Sequence, residues 1–257
     1  MKRPGAELPT LAVALLASLV LWNLPFGGVL LYPFKLLATW LHELSHGLAM
    51  MITGTGFDSV LIYRDTSGLA HASSSAGSFA SALIAAAGYM GTPLWGALLL
   101  VVTPTAFAAR RALIVLAVLL GVSALFAVGN DFGRWAIGGI GVAFAVAGLL
   151  VPARARLFVV HFVAAQACVD ALLDIRVLLR PLQVVDGQIA GASDATNMAM
   201  ATFGTHDAWA VWLWAIAWLV WALVVLFVAL RISARRTLAI ADARPPRASL
   251  PKDPADP

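Results

Sequence analysis

Seven stretches of this chain are apolar for about the length a helix needs to cross a bilayer, and few charges interrupt them. They cover residues 9–25, 30–53, 79–102, 109–128, 133–151, 155–179 and 207–230. About 20 such residues span the hydrocarbon core. Backbone N–H and C=O groups find no water there, so a spanning segment must satisfy them internally, as a helix does. Only 12% of the residues are charged, roughly half the share in a soluble domain. The sequence therefore predicts an all-α multi-pass membrane protein: a bundle of about six or seven transmembrane helices forming one domain over residues 1–230. No internal repeat is visible. Residues 231–257 are basic, then Pro-rich, and read as a disordered cytoplasmic tail. At the other end, Lys2 and Arg3 precede an apolar run with no small-x-small cleavage site after it, so an uncleaved first span is expected.

Two stretches are too polar to span. In residues 54–75, "DSVLIYR" is β-rich, "DTSG" reads as a turn and "LAHAS" as a returning strand, predicting a small β-hairpin between the second and third segments. Residues 182–204 read as a loop followed by a short helix capped at Ser193-Asp194. The net charge of +4 sits between the apolar runs and at the chain ends, where cytoplasmic loops carry Lys and Arg. It forms no aromatic-interleaved patch, so no nucleic-acid partner is expected. Cys168 is the single cysteine, and no intrachain disulfide can form. Arg110, Arg111, Arg154, Arg156, Arg231, Arg235 and Arg236 share one face if the last four segments all cross. Counting back then puts Lys2 and Arg3 on the opposite face, unless an early segment fails to cross.

The second segment holds the chemistry. His42-Glu43-Leu44-Ser45-His46 is an H-E-x-x-H pattern, and on a helix residues i and i+4 lie about 5–6 Å apart on one face. Both imidazoles can reach one zinc ion, and Glu43 stands close enough to work on a metal-bound water without ligating. A five-residue pattern arises by chance in soluble helices. Inside a span, each ionisable residue costs about 2.5–3.5 kcal/mol on insertion scales, and such residues are usually functional.

A catalytic zinc takes a third protein ligand and keeps an open position. Spacing alone leaves Asp170, Asp174, Asp186 and Asp194 as candidates, with His71, His161 and His206 behind them. Gln166, Asp170 and Asp174 form a polar stripe on the sixth segment that must face the bundle interior or a water-filled cavity. Each aspartate also has a plainer reading: Asp194 as a helix cap, Asp174 as a partner of Arg176 or Arg180, Asp186 as a turn residue. Gly88, Gly91 and Gly96 read as close-packing positions, and some of the tryptophans at 209–221 as interface anchors.

"ATWLHELSHGLAMMITG" resembles the zinc helix of the site-2 protease group of intramembrane metallopeptidases. "DTSGLAH", "AAGYMGTPLWGALLL" and "SDATNMAMATFGTHDAWAVWLWAIAW" follow in the order found in its peptidase M50B-like branch. The resemblance covers about residues 34–230. It implies His42, His46 and Asp194 as zinc ligands and Glu43 as catalytic acid/base. "RPLQVVDG" departs from the Asn-Pro-rich Leu-Asp-Gly motif of the better-known members, which keeps Asp186 as a rival to Asp194. The implied protein is a zinc peptidase of a bacterial cytoplasmic membrane, with membrane-protein or peptide substrates. The hairpin is expected either to pair with an extended substrate by β-addition or only to seal the site. Two other readings compete: a catalytically silent membrane chaperone or regulator of the same fold, and an ion-coupled transporter using the Gln166–Asp170–Asp174 stripe.

Overall fold

The computed structural model describes residues 7–174 and 182–242. In chain order the elements are α1 (Glu7–Asn23), α2 (Gly27–Ile52), β1 (Phe57–Ile62), β2 (Gly68–Ala72), α3 (Ser78–Val102), α4 (Ala106–Phe126), α5 (Asp131–Leu150), α6 (Ala153–Leu173), β3 (Leu182–Val185), β4 (Gln188–Ala192), α7 (Asp194–Phe203) and α8 (Ala208–Asp242). Five helices, α3, α4, α5, α6 and α8, are long and apolar enough to cross a membrane. The first two apolar segments form a pair bent by 118°, a broken span or a re-entrant loop, which gives up to six spans. The corner needs Gly27, because a β-carbon there would land on the Leu21 carbonyl. α8 continues past residue 230, the expected end of the domain, as far as Asp242. Residues 243–257 of the expected tail lie outside the described residues, as do Arg176 and Arg180.

The bundle packs around α2. Its Leu36, Leu37, Trp40 and Leu41 meet the inner faces of α3, α4 and α6 in the main core. Trp40 Nε1 donates to Ser123 Oγ at 2.8 Å, a buried bond that fixes the rotation of α2 against α4. That rotation directs the opposite side of α2, including His42 and His46, towards α3 and α7.

β1 and β2 form the expected antiparallel hairpin, Val60 opposite Ala70 and Ile62 opposite Gly68. One edge is covered. Val60 donates to the Ala127 carbonyl and accepts from Gly129 N, each at 2.9 Å, while the Asn130 amide bonds both Ile62 N and Ile62 O. Since Val60 and Ile62 turn their backbone groups to that side, the alternation of an antiparallel ladder turns those of Gly68 and Ala70 to the other side. That free side is where α2 lies.

Residues 182–192 are a second hairpin, not the expected loop. Val184 pairs with Ile189 and Val185 with Gln188 around an Asp186-Gly187 turn. Both turn residues have positive φ, 50° and 74°, the type I′ geometry for which Asp-Gly is favoured. The short helix follows as expected, with Ser193 Oγ accepting from Thr196 N at its cap.

Candidate metal centre

His42 and His46 lie one turn apart on α2, with Nε2 atoms 3.0 Å from each other. Asp194, the first residue of α7, brings Oδ2 to 3.2 Å from both. Among the described residues these are the His, Cys and acidic side chains that converge on one point. His46 Nδ1 lies 2.7 Å from the Ile84 carbonyl. A carbonyl only accepts, so Nδ1 carries the proton, and a neutral ring would turn its Nε2 lone pair to His42 and the Asp194 carboxylate. Lone pairs crowded in this way repel unless a cation sits between them. Four-coordinate zinc with ligands at 2.0–2.2 Å would hold neighbouring donors about 3.3–3.6 Å apart. The donor set and spacing fit zinc, and the Ile84 carbonyl would then be the outer partner that orients a metal-bound imidazole.

Helix α3 makes room for this cluster. A β-carbon on Gly88 would land on Nε2 of both histidines, and one on Gly91 would meet the Ser45 hydroxyl. Trp95 Nε1 donates to that hydroxyl at 3.1 Å, pinning α2 to α3 within the motif.

Glu43 is buried, with the Ala70 backbone N–H hydrogen-bonded to its carboxylate. Its stem lies so close to Gly68 that no side chain would fit there. The free side of β2 therefore runs along Glu43. A cavity of about 360 Å³ opens beside it, lined by Thr39, His42, Glu43, Gly68, Tyr89 and Asp174 among others. A second, of about 550 Å³, reaches Asp194 from the side of α7.

The remaining candidates lie elsewhere. Asp186 is exposed in its hairpin turn, its backbone N–H donating to Ser67 Oγ at 3.2 Å. Asp174 lines the cavity at the end of α6 without joining the cluster. Asp170 is buried, its Oδ2 without a hydrogen-bond partner among the described residues. Gln166 is closed over by α1, accepting from Ser18 and Trp22. His71 pairs with Ser59 across the first hairpin, His161 is buried, and His206 is exposed. The sequence reading assigned Gly88 to packing alone and gave Tyr89 no role. The Gly-Tyr-x-Gly block was visible, but not that it faces the motif helix.

No curated protein and no solved structure matches the chain significantly. A family model described as Peptidase M50B-like matches residues 11–229. Taking in the motif helix, both hairpins and the Asp194 helix, that match makes the chain a member of the Peptidase M50B-like family.

Proposed function

We propose that this membrane protein is a zinc-dependent intramembrane endopeptidase, with His42, His46 and Asp194 holding the metal and Glu43 as general acid/base. The carrying observation is the convergence of two imidazole nitrogens and one carboxylate oxygen within 3.2 Å, beside a buried glutamate that stays out of the ligand set. Zinc at that point would supply Lewis acidity, lowering the pKa of bound water and polarising the scissile carbonyl. Glu43 takes a proton from the attacking water and passes it to the departing amine.

A transmembrane substrate hides its peptide bonds in helical hydrogen bonds, so it must be extended before it is cut. The side of β2 away from β1 supports a way to hold an extended segment, which would take the Gly68 carbonyl from Gln183 and the Ala70 N–H from Glu43. Substrates are then membrane proteins or peptides with a segment able to unwind. The reading extends to a multi-pass protein of a bacterial cytoplasmic membrane. Against the transporter reading stands Gln166, whose carbonyl oxygen accepts from Ser18 and Trp22 of α1. The silent-regulator reading keeps the same fold and metal, and activity separates it.

Purified protein should carry about one zinc per chain, as one three-ligand site requires. Glu43→Gln should keep that zinc and abolish cleavage, read by comparing the membrane-protein fragments of cells carrying wild type and variant. His42→Ala should lose the metal. Unchanged zinc in His42→Ala would refute the ligand assignment. Identical fragment patterns for wild type and Glu43→Gln would leave the silent regulator.

A further inference from the structure

We propose that the Tyr89 hydroxyl is a catalytic hydrogen-bond donor that meets the oxyanion formed when the scissile carbonyl is attacked; this rests on the peptidase reading above. Tyr89 follows Gly88 on α3 and lines the same cavity as His42 and Glu43. Its ring is held on two sides. It meets His42 edge-on, centroids 4.7 Å apart and planes at 87°. It stacks on Trp218 of α8 at 5.3 Å, planes 1° apart. The residue is 8% exposed, and among the described residues its hydroxyl is neither hydrogen-bonded nor one of the fully buried unpartnered atoms.

That combination calls for an explanation. A hydroxyl that keeps some exposure on an otherwise buried, clamped ring is free to donate to whatever enters the space beside it. If the ring served packing alone, phenylalanine would make the same two aromatic contacts. Tyr89 lines the cavity beside the proposed general base, Glu43. A rigid donor in a water-poor site, aimed where charge develops, is the arrangement that stabilises an oxyanion.

The step balances. Water oxygen bonds to the carbonyl carbon, the π electrons move onto the carbonyl oxygen, and Glu43 accepts the water's proton. Tyr89 donates a hydrogen bond to the anionic oxygen and keeps its own proton. When that oxygen re-forms the double bond, the C–N bond breaks, and Glu43 returns the proton to the leaving nitrogen.

Tyr89→Phe keeps both ring contacts and removes only the donor. Zinc content and thermal stability should match wild type. On a substrate that wild type cleaves, kcat should fall about 10²-fold or more, the usual effect of deleting one oxyanion donor, with KM within about twofold. A phosphonamidate peptide, which mimics the anionic tetrahedral carbon, should bind more weakly by a similar factor in calorimetry. Unchanged kcat and unchanged phosphonamidate affinity would overturn the proposal. So would a rise in KM at constant kcat, which marks a ground-state contact, or loss of zinc, which marks a structural role. If wild type cleaves nothing but binds the phosphonamidate more tightly than Tyr89→Phe does, the peptidase reading falls and the catalytic role with it, leaving Tyr89 only as an anion-binding donor. If neither protein binds it and nothing is cleaved, both fall.

Discussion

Gly88 matters to the metal centre through the side chain it lacks. Two helices approach at that point. α2 presents the Nε2 atoms of His42 and His46, and α3 presents bare backbone where a β-carbon would collide with both. The Ile84 carbonyl, one turn earlier on α3, already holds the other end of His46. Moving α3 away to admit a methyl group would therefore break the bond that orients the ring. Gly88→Ala should keep its helix content and membrane insertion but retain at least about tenfold less zinc, the effect expected when the support of a ligand is lost. Metal analysis of purified protein by plasma emission checks this, and full zinc retention would show that α3 can yield. The two histidines were legible in the sequence because i and i+4 spacing on one helix fixes their distance whatever the rest of the chain does. Gly88 and Tyr89 were not, because contact between residues 42 and 88 depends on how two helices dock. Asp194 lies between these cases. Its capping position could be read from Ser-Asp, but its direction towards residue 42 could not, and only the family likeness favoured it.

At the scale of elements, the two hairpins divide the labour around Glu43. The first has one edge sealed by residues 127–130 and the other lying along the motif helix. The second hairpin leans over that free edge. Gln183 Nε2 donates to the Gly68 carbonyl at 3.4 Å, and Asp186 N donates to Ser67 Oγ at 3.2 Å. If a substrate strand adds to β2 as proposed, it must take the Gly68 carbonyl from Gln183 and the Ala70 N–H from Glu43. A single hydrogen bond of this kind contributes about 0.5–1.5 kcal/mol net. Gln183→Ala should therefore lower KM by about two- to tenfold with kcat nearly constant, measured on a peptide that wild type cleaves. A higher KM would mean that Gln183 holds the substrate instead of standing in its way. The first hairpin was legible from its β-rich run and its turn. The second carried an equally good signal, Asp-Gly between "VV" and "QI", and was missed because its polar surroundings read as a loop. Local turn chemistry outweighed composition there. α1 and α2 show the opposite limit: both apolar runs were visible, but the 118° corner between them depends on the single close approach at Gly27.

Across the whole molecule the charges separate by face. α3, α4, α5, α6 and α8 alternate in direction if each crosses. The starts of α4 and α6 and the ends of α3 and α8 then share one side, and Arg236 Nη1 donating to the Val101 carbonyl at 2.9 Å joins two of those ends directly. Arg110, Arg111, Arg154, Arg156, Arg231, Arg235 and Arg236 all lie on that side, while Arg64 and Arg134 are the described arginines on the other. Asp65, Asp131, Asp174, Asp186 and Asp207 also fall on the other side, together with both hairpins and the mouth of the cavity beside Glu43. Ile84 and Gly88, which lie against His42 and His46, are 6 and 10 residues into α3, so the candidate centre lies roughly 9–15 Å below that face at 1.5 Å per residue. Positive residues remain on the cytoplasmic side, so the metal centre should open away from the cytoplasm. Whether the bent α1–α2 pair is one broken span or a re-entrant loop moves only the N-terminus and leaves this orientation intact. In a Cys168→Ala background, His206→Cys, between α7 and α8, should react with a membrane-impermeant maleimide on intact cells. Arg235→Cys should react only after the membrane is opened. The reverse pattern would turn the protein over and put cleavage on the cytoplasmic side, where the arginine distribution argues against it.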